Sequence, residues 1–369
     1  MNKLVIANLL HRPLRSLISV TAVAIEVIMI LSIVGIFMGI LDDTKNRTNG
    51  IGADLMMRPS NAAVITGMSG ASMSLKIADF LRPLPHVTVV SPVNAQFSMG
   101  TSPETLYGID FASYNALRPF TFVQGGQFQG PYDTIVDDVF ARSKKGGGYQ
   151  VGDTIQIFNH DFRISGIVEA GKGARKLIPL ATMGELTGTT GKASLFFIKC
   201  DNSAHDQAVI NEIQNVPGLH DYPVWTIHEW LSMMTPEKLP GFNIALDVVT
   251  GIAVIVGFLV IFQSMYTAVL ERTREIGILK SLGSSKPLIV SVVLRETAVM
   301  AVAGVILGIA GTYLVRALIL HLFPTQHFEI TAQWLMQGAA IAFGGALLGA
   351  LYPASMAARK DPIDALAYE

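Results

Sequence analysis

The chain has 369 residues, of which 50% are hydrophobic and 15% charged, with a formal net charge of -1 and a mean hydropathy of +0.45. The charged fraction falls well short of the roughly 25% usual in soluble domains, and near-neutrality excludes the basic face that a nucleic-acid partner requires. The single Cys200 cannot form an intramolecular disulfide, so any folded domain must be held by its own apolar core.

In chain order, residues 1–15 come first. Val5, Ile6, Leu9 and Leu10 share one arc of a helical wheel, while Lys3, Asn8, His11, Arg12 and Arg15 share the other. That pattern predicts an interfacial helix that turns into the membrane near Pro13. Residues 16–41 are then long and apolar enough to exceed the roughly 20 residues that cross hydrocarbon. The run is too long for a signal peptide, contains Glu26 and lacks a small-residue cleavage site, so it reads as a retained anchor.

Residues 42–243 form a mixed segment. β-rich runs at 53–58, 87–93, 105–109, 154–158, 162–168 and 194–199 are punctuated by Gly, Pro, Asn and Asp, with Asn159, His160 and Asp161 as a hairpin turn. Helical patterns occupy 74–81, 137–144 and 203–215. Together they predict an extracytoplasmic α+β domain of two sublobes, with no strand order assigned. Gly146, Gly147 and Gly148 read as a surface loop, and Met68 to Met73 as a loop or a mobile contact surface.

Three further spans follow at 244–270, 289–320 and 334–357, separated by a charged segment at 271–288 and a short loop at 321–333. Basic residues mark alternate ends. Lys3, Arg12 and Arg15 precede the first span, Arg272, Arg274, Lys280 and Lys286 lie between the second and third, and Arg359 and Lys360 open the tail at 358–369. The loop at 321–333 has neither Lys nor Arg. The positive-inside rule therefore predicts cytoplasmic termini, a cytoplasmic 271–288 segment, and residues 42–243 and 321–333 outside.

Within the spans, Gly304, Gly308 and Gly311 share one face of the third helix, and Gly338, Ala342, Gly345 and Gly349 one face of the fourth. Small residues at this spacing let helix backbones approach closely, either within one chain or at a dimer seam. Glu26 lies inside the first span, whereas Glu296, Arg316 and Asp247 lie near span ends where they can snorkel or be solvated. One isolated carboxyl is no proton relay, and no inverted repeat of broken helices suggests a carrier.

Catalytic signatures are missing. The chain has no His-Glu-x-x-His, Cys-x-x-Cys or Gly-x-Ser-x-Gly, and His86, His160, His205, His220 and His228 are scattered without metal-ligand spacing. Asp137 and Asp138 are adjacent and point apart. No phosphate loop is present, since Gly188 and Gly191 precede Lys192 at the wrong spacing and Ala193 follows. The expectation is no catalytic residue, no metal and no directly bound cofactor, with any ATP handled by another subunit.

The most specific segment is Glu271-Arg-Thr-Arg-Glu-Ile-Gly-Ile-Leu-Lys-Ser-Leu-Gly283. It begins as a charged continuation of the second span, with Glu271 and Arg274 or Arg272 and Glu275 placed for i,i+3 pairs. Ile276, Leu279 and Leu282 form an apolar strip, and Gly283 suits a helix C-terminus. Ser284 or Ser285 can cap the next helix, with Pro287 in its first turn. Such an amphipathic turn can dock into a groove on a partner.

This run resembles the signature of the FtsX/MacB family of ABC-transporter permeases, the mechanotransmission or type VII class. The tail Leu351-Tyr-Pro-Ala-Ser-Met-Ala-Ala-Arg-Lys-Asp-Pro-Ile-Asp-Ala-Leu-Ala-Tyr-Glu369 and the opening from Asn8 to Ser19 are similar to the family's ends. Val151-Gly-Asp-Thr-Ile-Gln-Ile157 and Phe162-Arg-Ile-Ser-Gly-Ile-Val168 resemble its periplasmic core domain. The resemblance implies an α-helical membrane protein with four transmembrane helices in a bacterial inner membrane, working as a dimer with a second copy or related chain. It implies a separate cytosolic ABC ATPase, shaped or contacted by Arg272, Arg274, Glu275, Gly277, Lys280 and Gly283, and an outer adaptor or receiving protein. The function implied is export or extraction of a hydrophobic or envelope-associated substrate, the alternative being FtsX-like regulation of an extracytoplasmic enzyme without transport.

Overall fold

The computed structural model describes residues 13–59, 72–99, 103–144, 147–236, 238–239 and 241–360. The interfacial helix expected before Pro13, the tail after Lys360, Gly146 and residues 68–71 of the methionine patch lie outside the described residues. The chain forms two compact units. One comprises residues up to Gly39, Gly241–Leu322 and Phe328 onward; the other comprises Ile40–Pro240 together with Phe323–His327.

The elements run in this order: helix α1 (Pro13–Asn49), strands β1 (Leu55–Met57) and β2 (Met73–Ser74), α2 (Ile77–Leu81), β3 (Val87–Met99), β4 (Pro103–Ile109) and α3 (Phe111–Leu117). Then come β5 (Phe122–Gly125), β6 (Asp133–Asp137), α4 (Asp138–Ala141), β7 (Thr154–Ile157), β8 (His160–Val168), β9 (Lys176–Pro179), α5 (Leu180–Thr187), β10 (Lys192–Ala193) and β11 (Leu195–Cys200). A 3-10 turn (Ser203–His205) leads into α6 (Asp206–Asn215), β12 (Val224–Thr226) and α7 (Ile227–Met233). Four more helices complete the chain: α8 (Phe242–Glu271), α9 (Thr273–Ser281), α10 (Lys286–Leu322) and α11 (Ala332–Arg359).

Among the described residues four helices, α1, α8, α10 and α11, are long and apolar enough to span a bilayer. Their shared core joins Val23, Val27 and Leu31 of α1 to Ile261 and Met265 of α8, Met300 and Ala301 of α10, and Ala342, Ala346 and Ala350 of α11. Ile244, Ile255, Leu259, Ile306, Leu307 and Leu314 point outward. An apolar exterior around a core in which alanines sit among larger apolar side chains is the pattern expected when lipid is the solvent and small residues let helices approach closely.

The small-residue stripes pack within the chain. A Cβ at Gly304 would come within 2.6 Å of the Val23 Cβ, and one at Gly308 within 2.6 Å of the Val27 Cβ, while Gly311 faces the end of Ile28. On α11, Gly338 meets Leu31, Gly345 lies near Glu26 and Val254, and a Cβ at Gly349 would approach the Phe258 carbonyl at 2.8 Å. The third span's glycines thus serve α1, and the fourth span's serve α1 and α8.

In the second unit a ten-stranded mixed sheet runs β12-β1-β11-β3-β4-β9-β6-β8-β5, with β7 hydrogen-bonded to β8. The pairs β4–β9 and β6–β8 are parallel and the others antiparallel. The two expected sublobes therefore share one continuous sheet. One apolar cluster gathers Met56, Val93, Tyr114, Phe197 and Trp230, a second Leu55, Phe196, Val209 and Ile213, and a third Val136, Phe162, Ile164 and Met183.

The β7–β8 hairpin shows how local sequence sets register. Phe158 and Asn159 adopt φ of 50° and 61°, the left-handed pair of a two-residue turn whose twist suits the strands, and Ile157 pairs directly with His160. His160 and Asp161, expected from composition to lie in the turn, are consequently strand residues, and the turn sits at Phe158 and Asn159. Residues 323–327, in the middle of the loop between the third and fourth spans, pack with the α+β unit.

Candidate functional site

The family-like segment folds into α9, set off from α8 by a break. Arg272 adopts φ -105° and ψ 17°, and the Thr273 hydroxyl donates to the carbonyls of Leu270 (2.7 Å) and Val269 (3.2 Å). A threonine that bonds back to the preceding turn bends a helix. Where the sequence alone suggests a charged continuation of the second span, the chain turns and begins a separate helix.

Its C-terminus is closed by a Schellman motif. Gly283 sits at φ 91°, its N–H donates to the Lys280 carbonyl at 3.0 Å, and the Ser284 N–H donates to the Leu279 carbonyl at 3.0 Å. A glycine carries this left-handed position without the Cβ clash that other residues incur.

The charged residues divide into anchors and exposed groups. One Arg272 guanidinium nitrogen lies 3.1 and 3.0 Å from the two Glu296 oxygens, with both side chains largely buried. Glu296 is therefore paired, not merely solvated near the span's end. Lys280 donates to the Ala358 carbonyl at 3.1 Å and to the Lys360 carbonyl, capping the last turn of α11, where a helix leaves unpaired carbonyls and a partial negative charge. Gly277 is buried, whereas Arg274 and Glu275 are exposed.

Beside these anchors lies an apolar groove of about 430 Å³, lined by Met265, Val269, Ile276, Leu279, Leu288 and Val292. Leu282 is 80% exposed, and Ile278 and Leu279 are also exposed. A short helix held rigidly and presenting apolar side chains flanked by charge can seat in a complementary surface. Of the six residues expected at this joint, Arg272, Lys280, Gly277 and Gly283 build the helix and its attachments, and Arg274 and Glu275 face outward.

Glu26 is the carboxyl that the sequence places inside the first span. It is 3% exposed, and neither oxygen has a hydrogen-bond partner among the described residues. Its oxygens fill the space beside Gly257 on α8. Arg316, near the end of α10, donates from Nε to the Phe328 carbonyl at 3.3 Å.

Sequence reasoning missed a buried centre in the α+β unit. Arg175 donates to Asp137 Oδ2 at 3.0 Å, to Asp43 Oδ2 at 3.0 Å and to the Thr325 carbonyl at 3.0 Å, and it lies 3.4 Å from His327 Nδ1. Asp137 also accepts the Phe140 N–H at 2.6 Å, capping α4. Burial pushes the Asp137 carboxyl above the ordinary aspartate value, although the adjacent Arg175 pulls it down. One guanidinium thus joins the last turns of α1, a core strand and the 323–327 loop, a task its planar five-donor fork suits.

The structure also brings together histidines that the sequence scatters. His86 Nδ1 lies 2.9 Å from Asp201 Oδ2, His205 Nδ1 lies 2.8 Å from Asp201 Oδ1, and the two imidazole centroids are 3.8 Å apart. Their sequence positions show no metal-ligand spacing, and the fold brings them together because β3 and β11 pair across the sheet and place their ends side by side.

Four membrane helices, a mixed α+β domain inserted after the first of them and the α9 segment after the second define an ABC-transporter permease. The chain belongs to the MacB/FtsX family: residues 16–216 match the MacB-like periplasmic core domain and residues 248–362 the FtsX-like permease C-terminal region. It is similar to the macrolide export ATP-binding/permease protein MacB of Shewanella sp. (strain W3-18-1), at 26% identity over 97% of this chain and 59% of that protein. It thus spans somewhat over half the length of the MacB relatives. It is also similar to the uncharacterized ABC transporter permease YknZ of Bacillus subtilis (strain 168), at 23% identity over 100% of this chain and 98% of that one. Among solved structures, the periplasmic region of MacB from Actinobacillus actinomycetemcomitans aligns at 15% identity and a TM-score of 0.40, covering 50% of this chain and 94% of that one.

Proposed function

We propose that this chain is the permease subunit of an inner-membrane ABC transporter, and that it transmits motion of a separate cytosolic ATPase to its α+β domain to export or extract a hydrophobic or envelope-associated substrate. The observation that carries the reading is α9: an amphipathic helix tied to α10 through Arg272–Glu296 and to α11 through Lys280, with Ile278, Leu279 and Leu282 exposed beside Arg274 and Glu275. A docking helix must be rigid to pass on a displacement, and both attachments supply that rigidity.

The basic residues of the 271–288 segment support an orientation with α9 inside and the α+β unit outside. On this reading ATP is bound by the partner subunit. The permease pairs with a second copy or a related chain, and an adaptor or receiving protein meets the α+β unit. In that unit, Arg175 holds together the segments through which displacement arrives, namely the Asp43 turn of α1 and the 323–327 loop.

The test reverses the charge of the exposed pair, Arg274→Glu with Glu275→Arg, in the full chain co-expressed with the candidate ATPase. The variant inserts normally but co-purifies with less ATPase and supports less ATP-linked activity. Wild-type co-purification together with wild-type activity would remove α9 from the coupling role.

A further inference from the structure

We propose that His86, Asp201 and His205 form a binding site for one divalent transition-metal ion of the zinc class, its remaining coordination positions open to water. Two imidazole nitrogens and one carboxylate oxygen are a donor set that zinc-class ions take, and three protein ligands leave a position free. The three donor atoms lie within 4.8 Å of one another.

Backbone geometry fixes each ligand. Asp201 follows directly on β11, where the register against β3 shifts between Lys199 and Cys200, and its N–H donates to the His86 carbonyl at 3.0 Å. Asn202 then caps the 3-10 turn by accepting the Ala204 N–H, and the turn carries His205 back over Asp201. The ligands therefore come from a strand end, the residue before a strand and a helix entrance, all attached to the ten-stranded sheet.

The contact distances match the need. A tetrahedral ion with ligands at about 2.0–2.2 Å separates neighbouring donors by about 3.4 Å. Here each imidazole nitrogen stands 2.8 or 2.9 Å from a carboxylate oxygen, so small side-chain rotations open the space for an ion. The ion takes the place of the two Nδ1 protons, and each ring keeps its neutrality by carrying its proton on Nε2.

Asp201 offers one carboxylate oxygen to each imidazole, so an oxygen ligand already faces both nitrogens. Side-chain exposures of 39%, 44% and 40% leave the trio reachable from solvent. At such exposure an imidazole–carboxylate pair contributes little to stability by itself, so folding alone gives weak reason for two rings to converge on one carboxylate. Neighbouring Cys200 is buried and groups with Asp54 and Asp206, not with the two histidines.

The test uses the full chain in detergent, stripped with a chelator and titrated with Zn²⁺ against a chromophoric competitor, with Co²⁺ absorption as a second readout. One Zn²⁺ per chain is expected. His86→Gln with His205→Gln should weaken binding by about tenfold or more and abolish the Co²⁺ bands. Asp201→Asn, which keeps an oxygen in place and serves where the double variant misfolds, should weaken it similarly. His160→Gln with His228→Gln, and Cys200→Ser, should bind as the parent does. Equal affinity and an unchanged spectrum in the His86/His205 variant, or no Zn²⁺ bound by the parent, would overturn the assignment.

Discussion

Glu26 carries its carboxyl into the space that Gly257 leaves by having no side chain: a Cβ built on Gly257 would collide with Glu26 Oε2. Gly257→Ala should therefore destabilise the membrane unit by about 1–3 kcal/mol, the usual cost of overpacking. The loss should shrink when Glu26→Ala is already present, since neighbours that share a space are not additive. Thermal inactivation of the four proteins in detergent measures this, and an equal loss in both backgrounds would show that the carboxyl does not fill that gap.

The Arg272–Glu296 pair predicts a characteristic asymmetry. Removing one partner of a buried pair strands the other, at a cost on the order of 3 kcal/mol. Glu296→Leu and Arg272→Leu alone should each lower the thermal midpoint, while the double substitution should recover most of the loss. Failure of the double variant to recover would mean that Arg272 acts mainly through other contacts.

At the buried centre of the α+β unit, Arg175→Met leaves Asp137 without its paired cation, while Asp43 keeps Arg47, and should cost about 3–5 kcal/mol. Arg175→Lys should rescue only in part, because a single ammonium cannot reach Asp137, Asp43 and the Thr325 carbonyl in the guanidinium's fixed geometry. Full rescue by lysine, read from chemical denaturation, would contradict this account.

Lys172 gives a pH dependence with a definite sign. Burial, with Arg118 and Lys199 nearby, lowers its ammonium from 10.5 to about 8, and Nζ donates to the Arg118 and Pro119 carbonyls at 2.7 and 3.1 Å. The folded value is depressed, so the folded state disfavours the proton. The resulting stability is present above 10.5 and lost as pH falls from there to about 8. Relative to Lys172→Met, the parent should gain stability between pH 8 and 10.5, measured as the difference in denaturation midpoints; a flat difference would refute the shift.

Sequence carried some layers of this structure and not others. The four spans were legible because hydropathy is a local property, and α9 because its apolar strip and terminal glycine lie within one short segment. The β7–β8 hairpin was legible to within a residue, since the left-handed Phe158 and Asn159 are local too. Strand order was not, because β1 pairs with β11 and β12, whose sequences lie far along the chain. Arg175 gave no signal for the same reason: Asp43, Asp137 and Thr325 converge only through the fold. His86 and His205 looked scattered until the register of β3 on β11 set them over one carboxylate.

The two ends of α9 are fastened to different beams, Arg272 to the third span and Lys280 to the last turn of the fourth. If α9 is the docking helix proposed above, a push on its outward-facing leucines would reach both spans through these two fastenings, and loosening either one should make the stroke lopsided rather than merely smaller.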